Sequence, residues 1–181
     1  MVLPVLALLI FGSIEMGTAW VTRTKVVSAV TQAARVGASD GSRVEADRDV
    51  LLALRAALPA DALASADRVV VFRATDPDGA VPSGCVKPVG SSSEVGTSVC
   101  NTYTGTTLRS VQPGSMAGFG GVATKKDVYW PPAGRNDALS DPPDYLGVWI
   151  RTRNHPLTHL GLGNLTITAT SVVRIQPDLN G

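Results

Sequence analysis

Charge is scarce in this sequence. Charged residues make up 17% of the chain, and the formal net charge is +1. No global basic field of the kind that draws nucleic acid is present. Aromatic residues are also few, at 5%, which removes the stacking platforms of single-strand binders. There are two cysteines, Cys85 and Cys100, too few for a thiolate zinc site and not in a C-x-x-C. The two histidines, His155 and His159, stand at i, i+4, but Pro156 and Gly161 argue against a helix between them, so no metal is expected there. GFGG (118–121) has neither a G-x-G-x-x-G frame nor a following Lys-Ser/Thr, so it reads as a turn or a close backbone approach. There is no G-x-S-x-G, no defensible Ser/His/Asp set and no paired carboxylates. Enzymatic chemistry and a cofactor are not expected.

What the chain has is apolar residues, 44% of the total, concentrated at its start. Residues 1–22 carry one charge, Glu15, and the next is Arg23. As a helix such a run spans roughly 30 Å, the thickness of a bilayer core. A cleaved signal peptide fits less well, because no basic segment precedes the run and no A-x-A site follows it. The expectation is a membrane helix over 1–22 and an extracytoplasmic domain over 23–181. A carboxylate inside such a run costs about 2.5–3.5 kcal/mol on insertion scales, so Glu15 is expected to face a partner. Gly12 and Gly17 flank it, and small residues let helices approach.

Helical composition continues through 23–38, with Val27, Val30 and Ala34 expected on one face. Gly37 and the Ser39-Asp40-Gly41-Ser42 cluster should end the helix. Ser42 and Glu45 form a capping-box signature ahead of a second helix. Val50, Leu51, Leu54 and Leu58 make its apolar stripe, and Pro59 stops it. Residues 67–74 read as a strand, Asp76 to Gly79 as a turn, and Thr102 to Val111 as a candidate strand. Strands are also expected over 144–154 and 165–177. This order predicts an α+β fold, with a long N-terminal helix and a second helix packed on an antiparallel β-sheet.

Residues 80–143 are rich in Gly, Pro and Ser, and read either as filler or as a display surface. Within them, Cys85 and Cys100 read as one disulfide, which implies an oxidising compartment. Asn164-Leu165-Thr166 matches a glycosylation acceptor, a tripeptide common by chance.

The stretch VLPVLALLIFGSIEMGTAW resembles the N-terminal segment of TadE-like proteins, the minor pilins or pseudopilins of tight-adherence pilus machinery. The F-G-x-x-E-x-G signature falls on Phe11, Gly12, Glu15 and Gly17. The A-A-R-x-G ending falls on Ala33, Ala34, Arg35 and Gly37. A closing T-x-T-A-x-x-V-x-R-x-x-P strand falls on Thr166, Thr168, Ala169, Val172, Arg174 and Pro177. These motifs do not separate TadE from its TadF and TadG relatives. The resemblance implies a pilin-like, single-pass inner-membrane protein with an extracytoplasmic C-terminal domain. It implies pilus assembly, cell adhesion, and other pilins or pseudopilins and the assembly platform as partners through the N-terminal helix. The family's basic segment, cleaved Gly and Glu-Phe or Glu-Tyr pair do not precede the apolar run. A written start downstream of them is the expected reason. An upstream basic segment would also offset Arg23, Lys25 and Arg35, which by themselves would put the C-terminal part in the cytoplasm. A membrane-anchored extracytoplasmic binding module using loop 80–143 is the alternative.

Overall fold

The computed structural model describes residues 2–138, 142–154 and 165–177, with the side chains of 2–5, 7, 8 and 154 outside the description. His155, His159 and Asn164 therefore lie outside the described residues.

The chain opens with α1 (Val2–Asp40), α2 (Ala46–Ala57) and a short α3 (Ala60–Ala64). Strand β1 (Arg68–Ala74) follows, then β2 (Cys100–Thr104), α4 (Gly105–Ser110), β3 (Tyr145–Asn154) and β4 (Leu165–Arg174). The sheet order is β2-β1-β3-β4, with each neighbouring pair antiparallel. The expected α+β class with its long N-terminal helix and antiparallel sheet is what the structure has.

At 39 residues, α1 is about 58 Å long at 1.5 Å per residue. It ends where a left-handed residue is required. Gly41 sits at φ +54° and its N–H bonds the carbonyl of Gly37 at 3.1 Å, an αL cap. Gly37 also marks the closest packing of α1. A Cβ there would lie 2.5 Å from Val50 Cγ2 and 3.1 Å from Leu146 Cδ2. The buried stripe of α1 is Val26, Ala29, Val30, Ala33, Ala34 and Ala38. Val27, expected on that face, is 41% exposed. Val30 and Ala34 are fully buried as expected, and the buried stripe is centred toward Val26 rather than Val27, with the small Ala residues on the sheet and α2.

Helix α2 starts later than its signature. Arg43 N–H bonds Asp40 O and Ala46 N–H bonds Arg43 O, so residues 41–45 are spent on turns. Glu45 becomes the N-cap and no side chain caps the helix. Ser42 does not form the expected box; its N–H bonds Asp137 Oδ2 at 3.2 Å. The stripe of Val50, Leu51, Leu54 and Leu58 is buried as expected.

The candidate strand Thr102 to Val111 is corrected too. It is strand only to Thr104, whose hydroxyl then accepts from Thr107 N–H and caps α4. A hydroxyl that offers the backbone a cap overrides the strand preference of a Thr-rich run.

Alternation along the strands gives the sheet two buried faces. Val69, Val71, Leu146, Val148, Ile150, Ile167 and Ala169 join the helices in the main core. Val70, Phe72, Cys85, Cys100 and Trp149 pack on the other face under the cysteine loop. Central β1 is buried at every position but Arg73.

A candidate assembly helix and a strapped loop

The two halves of α1 have different surroundings. Val26 and the positions after it build the core, whereas Leu6, Leu9, Ile10, Phe11, Ile14, Met16, Trp20 and Val21 are each 46–70% exposed. At about 100° per residue these residues span an arc of roughly 220°, too wide for a single docking stripe, and Gly12, Glu15 and Ala19 lie on the remaining side. Among the described residues, no helix is long and apolar enough to cross a membrane.

Glu15 is the exception in this half. It is 6% exposed and has an interaction partner within the chain. Thr18 Oγ1 donates to its carbonyl at 2.9 Å. Gly12 and Gly17 have nothing within 4 Å of an added Cβ, so bare backbone faces open space at both. At about 100° per residue, Gly12 and Glu15 share one side of the helix, and Gly17 lies roughly 140° round from Gly12. The three residues therefore do not form one patch.

The long Gly/Pro-rich stretch is tied down at several points. Cys85 and Cys100 are bridged, with Cα atoms 6.2 Å apart, and both are fully buried. The loop they close is strapped to the end of β1 and β3. Asp67 accepts from Gly90 N–H at 2.8 Å and pairs with Arg151 at 2.6 Å. Arg151 also donates to Lys87 O at 2.7 Å, and Arg68 donates to the carbonyls of Ser91 and Ser93. Burial pushes the Asp67 carboxyl up, but the Gly90 N–H and Arg151 outweigh it and hold it below the usual carboxylate range.

Glu94, at the far side of that loop, accepts from Thr104 N–H at 2.7 Å and Thr107 Oγ1 at 2.5 Å, and pairs with Lys126 at 2.6 Å. Its burial is likewise outweighed, first by Lys126 and then by these donors, so its pKa is lowered. In GFGG, the N–H groups of Gly120 and Gly121 converge on the buried Asp127 carboxylate at 2.7 and 2.9 Å. Such a pair of convergent N–H groups is an anion cradle, and here the chain's own carboxylate fills it.

The most buried tie is centred on Asp47. Its Oδ2 accepts from Asn101 Nδ2 at 2.7 Å and Tyr103 Oη at 2.5 Å, and its Oδ1 pairs with Arg135. Both side chains of that ion pair are 0% exposed. The Arg135 guanidinium stacks over Trp130, 4.2 Å from the ring centroid. Trp130 N–H in turn donates to Asn101 Oδ1 at 2.9 Å. Burial, then the Asp47 charge, raises the Tyr103 pKa well above its ordinary value. Sequence reasoning missed this cluster. Its one visible signal was an acid, Asp47, placed where a helix start favours it but beside an apolar stripe.

Among the described residues, no group of three or more His, Cys, Asp or Glu could hold a metal ion. Compared with known proteins, residues 1–35 match the family model described as TadE-like protein. That amino-terminal segment is TadE-like, and it covers the apolar half of α1 and most of the half that enters the core. No curated protein matches the chain, and no solved structure does.

Proposed function

We propose that this chain is a TadE-like minor pilin or pseudopilin, a membrane-anchored structural or priming subunit in assembly of a tight-adherence pilus. The observation that carries the reading is α1. One continuous helix exposes apolar side chains over most of the circumference of its first half and supplies the core of an α+β domain with its second. The TadE-like match falls on that same helix. A helix that exposes apolar side chains over so wide an arc needs an apolar surrounding, and lipid or a bundle of like helices supplies one. In this pilin-like reading residues 1–22 sit in the membrane and 23–181 form the extracytoplasmic domain. The buried disulfide supports that side of the membrane. Other pilins or pseudopilins and the assembly platform contact the helix, and the role is structural rather than enzymatic.

Glu15 is the residue we assign to the helix contact. Gly12, on its side of α1, lets the partner backbone close in, and Gly17 serves a contact on another side. In the producing cell, the full chain should resist carbonate extraction from membranes, and removing residues 1–22 should release it. Glu15→Leu should leave insertion intact and reduce pili in the sheared surface fraction. Extraction of the full chain by carbonate would sink the anchor. Full pilus yield with Glu15→Leu would sink the Glu15 role.

A second reading has its own observation. The ties from Asp47, Asp67, Glu94 and Asp127 hold loop 80–143 in a set shape over its described residues, as a preformed binding surface requires. A membrane-anchored binding module would be dispensable for pilus formation, so normal pili in cells lacking the chain favour this alternative.

A further inference from the structure

The two edges of the sheet are finished differently. Arg73 N–H bonds Val99 O, so the odd residues of β1 and β2 pair with each other and the even residues of β2 point outward. Those outward groups are covered. Cys100 exchanges N–H···O bonds with Thr97 in both directions, and Thr104 N–H is taken by Glu94. Thr102 between them is fully buried.

At the other edge, Ile175 N–H bonds Asp144 O, in line with the β3–β4 register. The odd residues of β4 therefore pair with β3, and Thr166, Thr168, Thr170 and Val172 turn their N–H and C=O groups outward. The row runs on through Arg174 to Gln176, whose N–H bonds Ala38 O of α1. No bond from another described segment reaches Thr166, Thr168, Thr170 or Val172, and Thr166, Thr168 and Thr170 are exposed. Edges left open usually carry Lys, Pro or an inward charge as a guard. β4 has none of these before Arg174, and its β-branched run is well suited to pairing.

We infer that the β4 edge receives an extended segment of a partner protein by strand addition, and that this segment is acidic at both ends. The charge comes from the sheet itself. Arg153 on β3 stands beside Thr166, and Arg174 closes β4 about 27 Å away. Neither cation has a carboxylate partner among the described residues. An added strand with Glu or Asp opposite Thr166 and Arg174 neutralises both, while its main chain satisfies the outward row. A second copy of this chain fits worse. Two β4 strands centred on Thr170 would set Arg174 of one copy opposite Thr166 of the other. That brings Arg174 to about 9.6 Å from the second copy's Arg153 on the same face, twice over, a weak repulsion where the acidic segment gains an attraction. The other edge is closed, so head-to-tail stacking of sheets is blocked as well. The proposal does not depend on the membrane reading of α1.

The test uses the full chain in detergent micelles, amide hydrogen exchange, and the capped peptide EVTVTVTVE as probe. The amides of Thr166, Thr168, Thr170 and Val172 should exchange freely in the chain alone. The peptide should slow them by about tenfold or more, leaving Ile167 and Ala169 protected throughout. Neither KVTVTVTVK nor EVTVTVTVE with alternate amides N-methylated should do so. Thr168→Pro removes one outward donor and should abolish the effect. Arg153→Gln with Arg174→Gln leaves the fold intact and should weaken the peptide about tenfold, which keeps the test alive if the Pro variant does not fold. Three results overturn the proposal: even-numbered amides already protected in the dilute free chain, protection that rises with chain concentration, or equal action of the Lys-ended peptide.

Discussion

Arg135→Met isolates the energetics of the most buried tie. The variant keeps an unbranched stem to lie over Trp130 but removes the guanidinium that pairs with Asp47. Both partners are 0% exposed, so water cannot screen what is left behind. Removing one member of such a pair typically costs about 3–5 kcal/mol, because the other charge stays buried and uncompensated. Against a total stability of about 5–15 kcal/mol, that is a third or more for many domains. Asn101 and Tyr103 still donate to Asp47, which places the expectation near 3 rather than 5. The reasoning makes a second, sharper claim. In the Arg135→Met background, Asp47→Asn removes the stranded charge, so the double variant should be more stable than Arg135→Met alone. Thermal unfolding of the full chain in mild detergent, followed by near-ultraviolet circular dichroism, reads both. A loss below about 1 kcal/mol for Arg135→Met, or a double variant less stable than the single, would refute the account.

Tyr103 predicts an alkaline limit. Its folded pKa is raised, so its contribution is complete below about pH 10 and is lost above it, by about 1.4 kcal/mol per pH unit, as the unfolded phenol ionises while the buried one does not. Tyr103→Phe should start less stable and lose that slope in melts run from pH 9 to 11.5; an unchanged slope would discard the assignment. Asp67 and Glu94 predict an acid limit of opposite sign. Their folded pKa values are lowered, so their stabilisation is present above about pH 4 and lost as pH falls below it. Exchange at Gly90 and Thr104 N–H, which these carboxylates accept, should quicken in that window before the β3–β4 ladder does; simultaneous loss would show that the straps do not open separately. Cys85 and Cys100 should give no free thiol in the denatured, unreduced protein. Replacing both by Ala should cost about 3 kcal/mol for a closure spanning 15 residues, and two titratable thiols would remove the argument for an oxidising compartment.

The parts of the fold that were legible in the sequence are those whose signal is local. The β-branched runs of β1, β3 and β4 and the apolar stripe of α2 each need only a window of neighbours to be recognised. So does the TadE-like segment, where Phe11, Gly12, Glu15 and Gly17 lie within one stretch of helix. The misses lie where two local signals compete or where the partner is distant. Val26 and Val27 are adjacent and alike, and only the sheet beneath α1 decides which is buried. Ser42 and Glu45 have box spacing, yet the turn from Asp40 uses up those residues before α2 begins. The loop is the clearest case. Its composition describes a segment unable to bury much apolar surface, and in isolation that is correct. What orders it is a set of polar bonds whose ends are far apart in sequence, 54 residues from Asn101 to Asp47 and 88 from Arg135 to Asp47. No window holds both ends. Such bonds also work only when complete, since a buried carboxylate with one partner missing destabilises more than an apolar contact in its place. A Gly/Pro-rich stretch that carries several isolated acids and arginines can therefore be as fixed as a helix. The feature that separates it from filler is whether each buried charge finds its counterpart, and only the folded arrangement of Asp47, Arg135, Asp67, Arg151, Glu94 and Lys126 answers that.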